Sequence, residues 1–188
     1  MNYRALVNLL RRVDPCVSSL NPADVEIAGI AHDSREVKPG YIFAALPGTK
    51  GDGAAFLPDA VSRGAVAVLS SRRLPTGLPT IVSSNPRRTL ARLCSVFHGD
   101  PSRQMCVVGV TGTNGKTTSA YLLRHIFEHA AMRCGLVGTV ECSTGSRTWA
   151  SSMTTPEATD IQAWLAEMKH NGLSACAMEV SSHALVQH

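Results

Sequence analysis

Residues 107–118 join an apolar strand pattern to a helix pattern through a short glycine loop. The loop carries Gly112 and Gly115, and Lys116 follows with two threonines. Glycines let the backbone curl so that successive N–H groups point at phosphate oxygens, and the N-terminus of the following helix adds partial positive charge. This order predicts an α/β fold in which the loop binds the phosphates of a nucleotide.

The loop departs from the common phosphate-loop pattern at one position. That pattern has a glycine six residues before the lysine, whereas this chain has Val110 there and Gly109 one residue earlier. An incidental glycine turn is the alternative, but the strand before the loop and the helix after it are the context that the motif requires. In this interpretation Lys116 contacts the β- and γ-phosphates and Thr117 binds Mg²⁺.

The composition is that of a globular protein suited to small anionic substrates. Of the 188 residues, 44% are hydrophobic and 17% are charged, and no apolar run approaches the roughly 18 residues that a membrane span needs. The net charge of +4 comes from dispersed basic residues, which argues against nucleic-acid binding. Residues 1–13 have an amphipathic helix pattern without a secretory signal. We therefore expect a cytoplasmic protein with no membrane or nucleic-acid partner.

The six cysteines are scattered along the chain, with no close C-x-x-C pair. Most of them lie in apolar stretches, so we expect buried, reduced thiols rather than metal ligands.

The chain divides into two parts at a polar, turn-rich segment, residues 98–102. We assign residues 1–100 to the first domain and residues 104–188 to the second. In the first domain the hydrophobic pattern predicts helices at 56–63 and 87–97, and strands at 27–31, 41–46, 65–69 and 80–82.

The second domain alternates strands and helices, and helical crossovers between apolar strands predict a parallel sheet covered on both faces. Strands are predicted from residue 106, at 136–140 and at 175–180, with helices at 118–133 and 156–170. The first of these helices has an apolar face that we expect to pack on the sheet, formed by Leu122, Leu123, Ile126, Phe127, Ala130 and Ala131.

Glu179 ends an apolar run that has the pattern of a buried strand. A carboxylate at the carboxyl edge of a strand beside a phosphate loop is where Mg²⁺ needs a second anchor. The alternative is a solvated acid at a strand end. Ser182 and His183 follow, but no base and orienting group for a serine nucleophile can be identified, so we do not favour that chemistry.

These motifs together resemble the Mur ligases, and most closely the MurE type, which joins a diamino acid to UDP-N-acetylmuramoyl-L-alanyl-D-glutamate. In the second domain the resemblance lies in Thr111-Gly112-Thr113-Asn114-Gly115-Lys116-Thr117-Thr118, Thr154-Thr155-Pro156-Glu157 and Met178-Glu179-Val180-Ser181-Ser182-His183. In the first domain it lies in Asp33-Ser34-Arg35, Pro39-Gly40, Phe43-Ala44-Ala45-Leu46, Gly48, Asp52-Gly53 and Gly64-Ala65.

The resemblance implies an α/β UDP-binding domain followed by a P-loop ATPase domain, and a reaction in which ATP phosphorylates the D-glutamyl carboxylate before an amine attacks the acyl phosphate. Lys116 would neutralise the migrating phosphoryl group, and Thr117 and Glu179 would hold Mg²⁺. ATP would be bound by Gly112, Thr113, Asn114, Gly115, Lys116, Thr117 and Thr118. The UDP-N-acetylmuramoyl-dipeptide would be contacted by Ser34, Thr49, Lys50, Gly51, Thr154, Thr155, Ser181 and Gln187.

Several of these residues have a structural alternative. Ser34 could cap a turn, and Thr155 could be the N-cap of the helix that follows it. We expect Asp33 and Arg35 to form a structural pair rather than to bind a ligand.

By the resemblance, the ATPase domain is incomplete and the C-terminal domain of the family is absent, so we expect an inactive, monomeric fragment of a ligase. The alternatives are a stand-alone module that binds the UDP precursor or a nucleotide without ligase activity, and an unrelated kinase or nucleotide switch. The diamino acid, meso-diaminopimelate or lysine, cannot be distinguished from these residues.

Overall fold

The computed structural model describes residues 1–48 and 51–187 of the chain. The chain forms two compact units, the first comprising Met1–Phe97 and the second beginning at His98. Each unit contains one five-stranded sheet with helices packed on it. The predicted α/β class is therefore confirmed.

The first unit has a mixed sheet with the strand order β1-β5-β4-β3-β2. β2 to β5 are mutually parallel, and β1 pairs antiparallel with β5. The strands are β1 (Ser18–Leu20), β2 (Gly29–Ala31), β3 (Tyr41–Ala45), β4 (Ala65–Ser70) and β5 (Thr80–Val82), and the helices are α1 (Tyr3–Val13), α2 (Leu57–Ser62) and α3 (Pro86–Phe97).

Both faces of this sheet are covered, because successive side chains of a strand point to opposite faces. Ile42 and Ala44 of β3 belong to the core that includes residues of α1 and α3. Phe43 and Ala45 belong to a second core that includes residues of α2. The predicted strands and helices of the first domain are thus present, with α2 preceded by a short 3-10 helix, Gly53–Phe56.

The second unit has a sheet with the order β6-β10-β7-β8-β9, of which only β6, β10 and β7 are parallel. β8 and β9 are antiparallel and form a hairpin. The strands are β6 (Cys106–Val110), β7 (Cys134–Val137), β8 (Glu141–Ser143), β9 (Thr148–Ala150) and β10 (Ala175–Glu179), and the helices are α4 (Lys116–His129), α5 (Ala158–His170) and α6 (Ser182–Gln187).

The three strands predicted for this sheet are parallel, as expected, but the prediction did not include the antiparallel hairpin. The hairpin turns at Gly145, which has a positive φ of 90°, and Thr144 N–H donates to the carbonyl of Arg147 at 3.1 Å. Glycine adopts this left-handed conformation without a steric penalty. The strand predicted at 136–140 is β7, which spans Cys134–Val137 and therefore begins and ends earlier than predicted. The backbone leaves the sheet after Val137.

The apolar face predicted for α4 is only partly buried. Leu123 and Phe127 pack against a core that contains Ala120 and Leu136, whereas Leu122 is 57% exposed and Ile126 is 61% exposed. The helical period correctly placed these residues on one side, but the sheet covers only part of that side.

Four of the six cysteines are buried, as predicted, while Cys16 in the first unit and Cys106 in the second are exposed. None of the described helices is both long enough and apolar enough to cross a membrane.

Candidate functional site

The glycine loop connects the end of β6 to the start of α4. Gly115 is the residue before the helix and has a φ of 79°, a left-handed conformation that favours glycine. Within the described residues no side chain caps this end of α4. The N–H groups of a first helical turn have no partner within the helix, so this loop can offer them to an anion such as a phosphate.

Lys116 lies at the first position of α4 and its side chain folds back over the loop. Its Nζ donates to the carbonyl of Gly112 at 2.7 Å and lies 3.4 Å from the carbonyl of Thr113. The ammonium is therefore held directly above the loop whose backbone would receive the phosphates.

Glu179 is brought to the loop by strand pairing, because it lies opposite Val110 where β10 and β6 end. Its side chain is buried, with 1% of the residue exposed. Thr117 Oγ1 donates to Glu179 Oε2 at 3.0 Å. Thus a residue from the loop helix and the predicted strand-end acid, 62 positions apart in sequence, are in direct contact.

Thr139 supplies two further hydrogen bonds to this carboxylate. Its backbone N–H donates to Oε1 at 2.8 Å and its hydroxyl donates to Oε2 at 3.0 Å. The neighbouring Gly138 allows this approach, because a Cβ at that position would lie 2.6 Å from Oε1.

The donor set around Glu179 fits a magnesium ion. Among the described residues no cationic side chain forms an ion pair with this buried carboxylate, although burying a charge without a partner is costly. Carboxylate and hydroxyl oxygens are hard ligands of the kind that Mg²⁺ prefers alongside phosphate oxygens and water. Glu179 and Thr117 are therefore chemically suited to a cation that accompanies a nucleotide.

Three of the predicted contacts to the muramoyl-dipeptide lie beside Glu179. Thr155 Oγ1 donates to the backbone carbonyl of Glu179 at 3.1 Å and accepts from Ser181 N–H at 2.9 Å. The Oγ1 atoms of Thr154 and Thr139 are 3.1 Å apart. The alternative role of Thr155 as a helix N-cap was wrong, since α5 begins after Glu157.

The other predicted residues of the second unit are less closely connected. Thr113, Asn114 and Thr118 are exposed around the loop. Gln187 lies on α6, where its Nε2 is 2.8 Å from Nε2 of His183, and among the described residues no hydrogen bond joins it to Glu179.

The first unit contains a cavity of about 630 Å³ that includes two of the predicted ligand contacts, Ser34 and Gly51. Thr49 and Lys50 lie outside the described residues. The lining also contains His32, Asp33, Arg35, Leu46, Gly48, Gly53, Phe56, Asp59 and Arg87.

Charged pairs surround the buried Ser34 in this cavity. A hydrogen bond from Ser34 contributes most to lowering the pKa of Asp59, and Arg63 also contributes. Arg35 pairs with Asp33 at 2.5 Å, as predicted. Hydrogen bonds from the Arg35 side chain and backbone lower the pKa of Asp33 to about 2.

Sequence reasoning missed Thr139 beside the glycine loop and Glu179, and Phe56, Asp59 and Arg87 in the cavity. Thr139 had a usable signal, since it follows a parallel strand by two residues and the carboxyl ends of such strands converge on a site. The cavity residues had none, because four separate segments of the chain bring them together.

Two family profiles match the chain. The profile described as Mur ligase middle domain matches residues 110–188, and the one described as Mur ligase family, catalytic domain, matches residues 26–96. The chain belongs to the Mur ligase family.

Two relatives with high sequence identity are named as the same ligase of that family. The UDP-N-acetylmuramoyl-L-alanyl-D-glutamate--2,6-diaminopimelate ligase of Streptomyces avermitilis is 48% identical over 168 residues, which cover 87% of this chain and 33% of that protein. The ligase of the same name from Caldanaerobacter subterraneus subsp. tengcongensis is 38% identical over 185 residues, covering 97% of this chain and 38% of that protein.

A solved structure of a ligase with this name has the same fold, with a TM-score of 0.71 and 28% identity over 86% of this chain and 33% of that one. The chain thus spans about a third of the length of the relatives that it matches.

Proposed function

We propose that this chain is the UDP-precursor-binding and ATP-phosphate-binding part of a cytoplasmic, monomeric ligase of peptidoglycan precursor synthesis. The ligase would add 2,6-diaminopimelate to UDP-N-acetylmuramoyl-L-alanyl-D-glutamate. This is the reaction for which the similar proteins are named. The observation that carries the proposal is the direct contact between Thr117 of the glycine loop and the buried Glu179.

In this proposal the glycine loop binds the phosphates of ATP through its backbone N–H groups and the start of α4. The ammonium of Lys116 lies above the loop and compensates negative charge on the transferring phosphoryl group. Thr117 and Glu179 hold Mg²⁺, which supplies charge neutralisation at the phosphates when it is bound.

The hydroxyls of Thr154 and Thr155 and the backbone at Ser181 lie near Glu179, and this supports a role in orienting the phosphoryl-accepting D-glutamyl end of the precursor. A D-glutamyl carboxylate placed there would be close to the phosphate loop, and orientation of this kind is a major part of catalysis. The amine of the diamino acid would then attack the acyl phosphate.

The cavity of the first unit is the proposed site of the uridine diphosphate portion, with Ser34 and Gly51 as contacts. Its volume of about 630 Å³ is within the range of small-molecule sites. Because the 188 residues correspond to a third of the length of the relatives, we expect them to bind ligands without turning them over.

Calorimetry with ATP tests the phosphate site. We expect ATP to bind this chain in the presence of Mg²⁺, and Lys116→Ala to weaken that binding at least tenfold, which corresponds to about 1.4 kcal/mol. Lys38→Ala, which removes an exposed ammonium from the first unit, is the matched control and should bind like the wild type. Equal binding by wild type and Lys116→Ala would exclude the proposed role of the loop.

A parallel titration with UDP-N-acetylmuramoyl-L-alanyl-D-glutamate tests the cavity. Ser34→Ala should weaken binding about tenfold, the loss expected for one buried hydrogen-bonding group. Absence of binding heat from a folded wild-type sample would contradict the assignment of the cavity to the UDP portion.

A further inference from the structure

Thr139 contributes both of its hydrogen-bond donors to the same carboxylate. The backbone N–H binds Oε1 of Glu179 and the hydroxyl binds Oε2, at 2.8 Å and 3.0 Å. Two donors on two different oxygens fix the rotation of a carboxylate about its last bond, whereas a single donor leaves that rotation free. Thr117 also donates to Oε2, so Thr139 and Thr117 together set the plane of the Glu179 carboxylate.

The hydroxyl of Thr139 can donate only one hydrogen bond. An ionised carboxylate can only accept hydrogen bonds, and each threonine hydroxyl has a single proton. The proton of Thr139 therefore goes to Glu179, and the hydroxyl oxygens of Thr139 and Thr154 lie 3.1 Å apart. The hydroxyl of Thr139 is consequently within hydrogen-bond distance of both residues.

A purely local role in shaping the turn after β7 does not require this hydroxyl. The turn has its own backbone hydrogen bond, from Gly138 N–H to the carbonyl of Glu141 at 3.1 Å. The N–H of Thr139 also remains in any substitution other than proline. Among the described residues the hydroxyl contacts Glu179 and Thr154, so it takes no part in the hydrogen bond that forms the turn.

We propose that Thr139 is a positioning residue, whose hydroxyl holds the Glu179 carboxylate in the orientation needed to bind the divalent cation that accompanies ATP. This inference rests on the proposed function, since it needs the phosphate site. Without the hydroxyl, Oε2 of Glu179 loses one of its two charge-assisted hydrogen bonds and keeps only the one from Thr117. Thr117 is itself a proposed cation ligand, so the carboxylate is held less firmly beside the loop. The loss concerns the cation and leaves the contacts of the loop backbone with the phosphates in place.

The test is calorimetry of ATP binding to the chain, carried out once with Mg²⁺ and once with EDTA. Thr139→Val, which replaces the hydroxyl by a methyl group, should weaken binding in Mg²⁺ about tenfold and leave binding in EDTA unchanged. Thr139→Ser restores the hydroxyl and should recover the affinity in Mg²⁺. Thr148→Val, which removes a hydroxyl bonded to Ser143 on the hairpin, is the matched control and should bind like the wild type.

The outcomes separate the possibilities. Equal weakening of Thr139→Val in Mg²⁺ and in EDTA would show a merely structural role and overturn the inference, as would unchanged binding in Mg²⁺. A wild type that binds ATP equally with and without Mg²⁺ would overturn the proposed cation site itself. If Thr139→Val does not unfold cooperatively, Thr139→Ala is measured in its place and judged by the same criteria.

Discussion

The proposed phosphate site of the second unit, formed by the glycine loop, Thr117, Thr139 and Glu179, and the cavity of the first unit are built in different ways. The phosphate site surrounds one buried carboxylate with threonine donors and backbone, and no cation balances it within the described residues. The cavity surrounds a buried hydroxyl with acidic groups that are already paired with arginines. The first arrangement leaves a charge for a ligand to neutralise, whereas the second has its charges balanced before any ligand arrives.

This difference predicts different sensitivities. The phosphate site should depend strongly on the charge and packing of single residues, because a buried charge is poorly screened. The cavity should tolerate changes to its pairs, because exposed ion pairs contribute little.

The largest effect is expected from removing the charge of Glu179. Glu179→Gln keeps the size of the side chain, and we expect it to weaken ATP binding in Mg²⁺ about 100-fold, since losing one partner of a buried charge interaction costs about 2–5 kcal/mol. Calorimetry measures this, with Glu36→Gln, an exposed position of the first unit, as the control. Binding of the UDP precursor should not change, and a parallel loss there would refute the separation of the two sites.

The second-largest effect is expected from crowding the Glu179 carboxylate. Gly138→Ala places a Cβ 2.6 Å from Glu179 Oε1, and overpacking of this kind costs about 2 kcal/mol. Both tryptophans of the chain, Trp149 and Trp164, belong to the second unit, so urea unfolding followed by tryptophan fluorescence reports on that unit. Gly77→Ala, where a Cβ would meet no atom within 4 Å, should leave the midpoint unchanged. Equal midpoints for the two variants would mean that the turn adjusts freely.

The covered and the exposed parts of the apolar face of α4 give a comparable effect and its matched control. Leu123→Ala removes a side chain that packs on the core and should lower the free energy of unfolding by about 2 kcal/mol. Leu122→Ala removes a side chain that is 57% exposed and should stay within about 0.5 kcal/mol of the wild type. The same fluorescence experiment measures both, and the reverse order would show that the other part of that face is the packed one.

The smallest effect concerns the paired charges of the cavity. The pKa of Asp33 is about 2 in the folded chain, against an ordinary value of 3.8. A lowered folded pKa stabilises the protein above the unfolded pKa, and this contribution is lost as the pH falls from about 4 towards 2. Asp33→Asn should therefore lower stability at pH 6, by at most about 1 kcal/mol, and by less at pH 3. Urea unfolding followed by circular dichroism checks this, and a difference that grows towards pH 3 would reverse the sign.

The parts of the fold that sequence reasoning predicted are those with long, regular hydrophobic patterns. β6, the glycine loop and α4 follow from an apolar run, two glycines and a helical period. The hairpin β8–β9 was missed because its strands are only three residues each and half of those residues are polar. Part of its attachment comes from Glu167 of α5, which binds Arg147 and Thr144.

The residues of the candidate site likewise fall into those that the sequence predicted and those that it did not. Lys116 and Thr117 could be predicted because neighbours in sequence form the loop, and Glu179 because a strand end fixes its position. Thr139 and Asp59 act through hydrogen bonds to residues 40 and 25 positions away, and such partners become visible only once the chain is folded. The exposure of Ile126 likewise depends on how much of α4 the sheet covers, which a helical period does not specify.

The distribution of thiols gives the chain a practical property. Cys16 is the exposed cysteine of the first unit and Cys106 that of the second, while the other four are buried. A maleimide dye should therefore attach once to each unit of the unaltered protein, and a donor and acceptor pair would convert any ligand-driven movement of one unit against the other into a change in energy transfer.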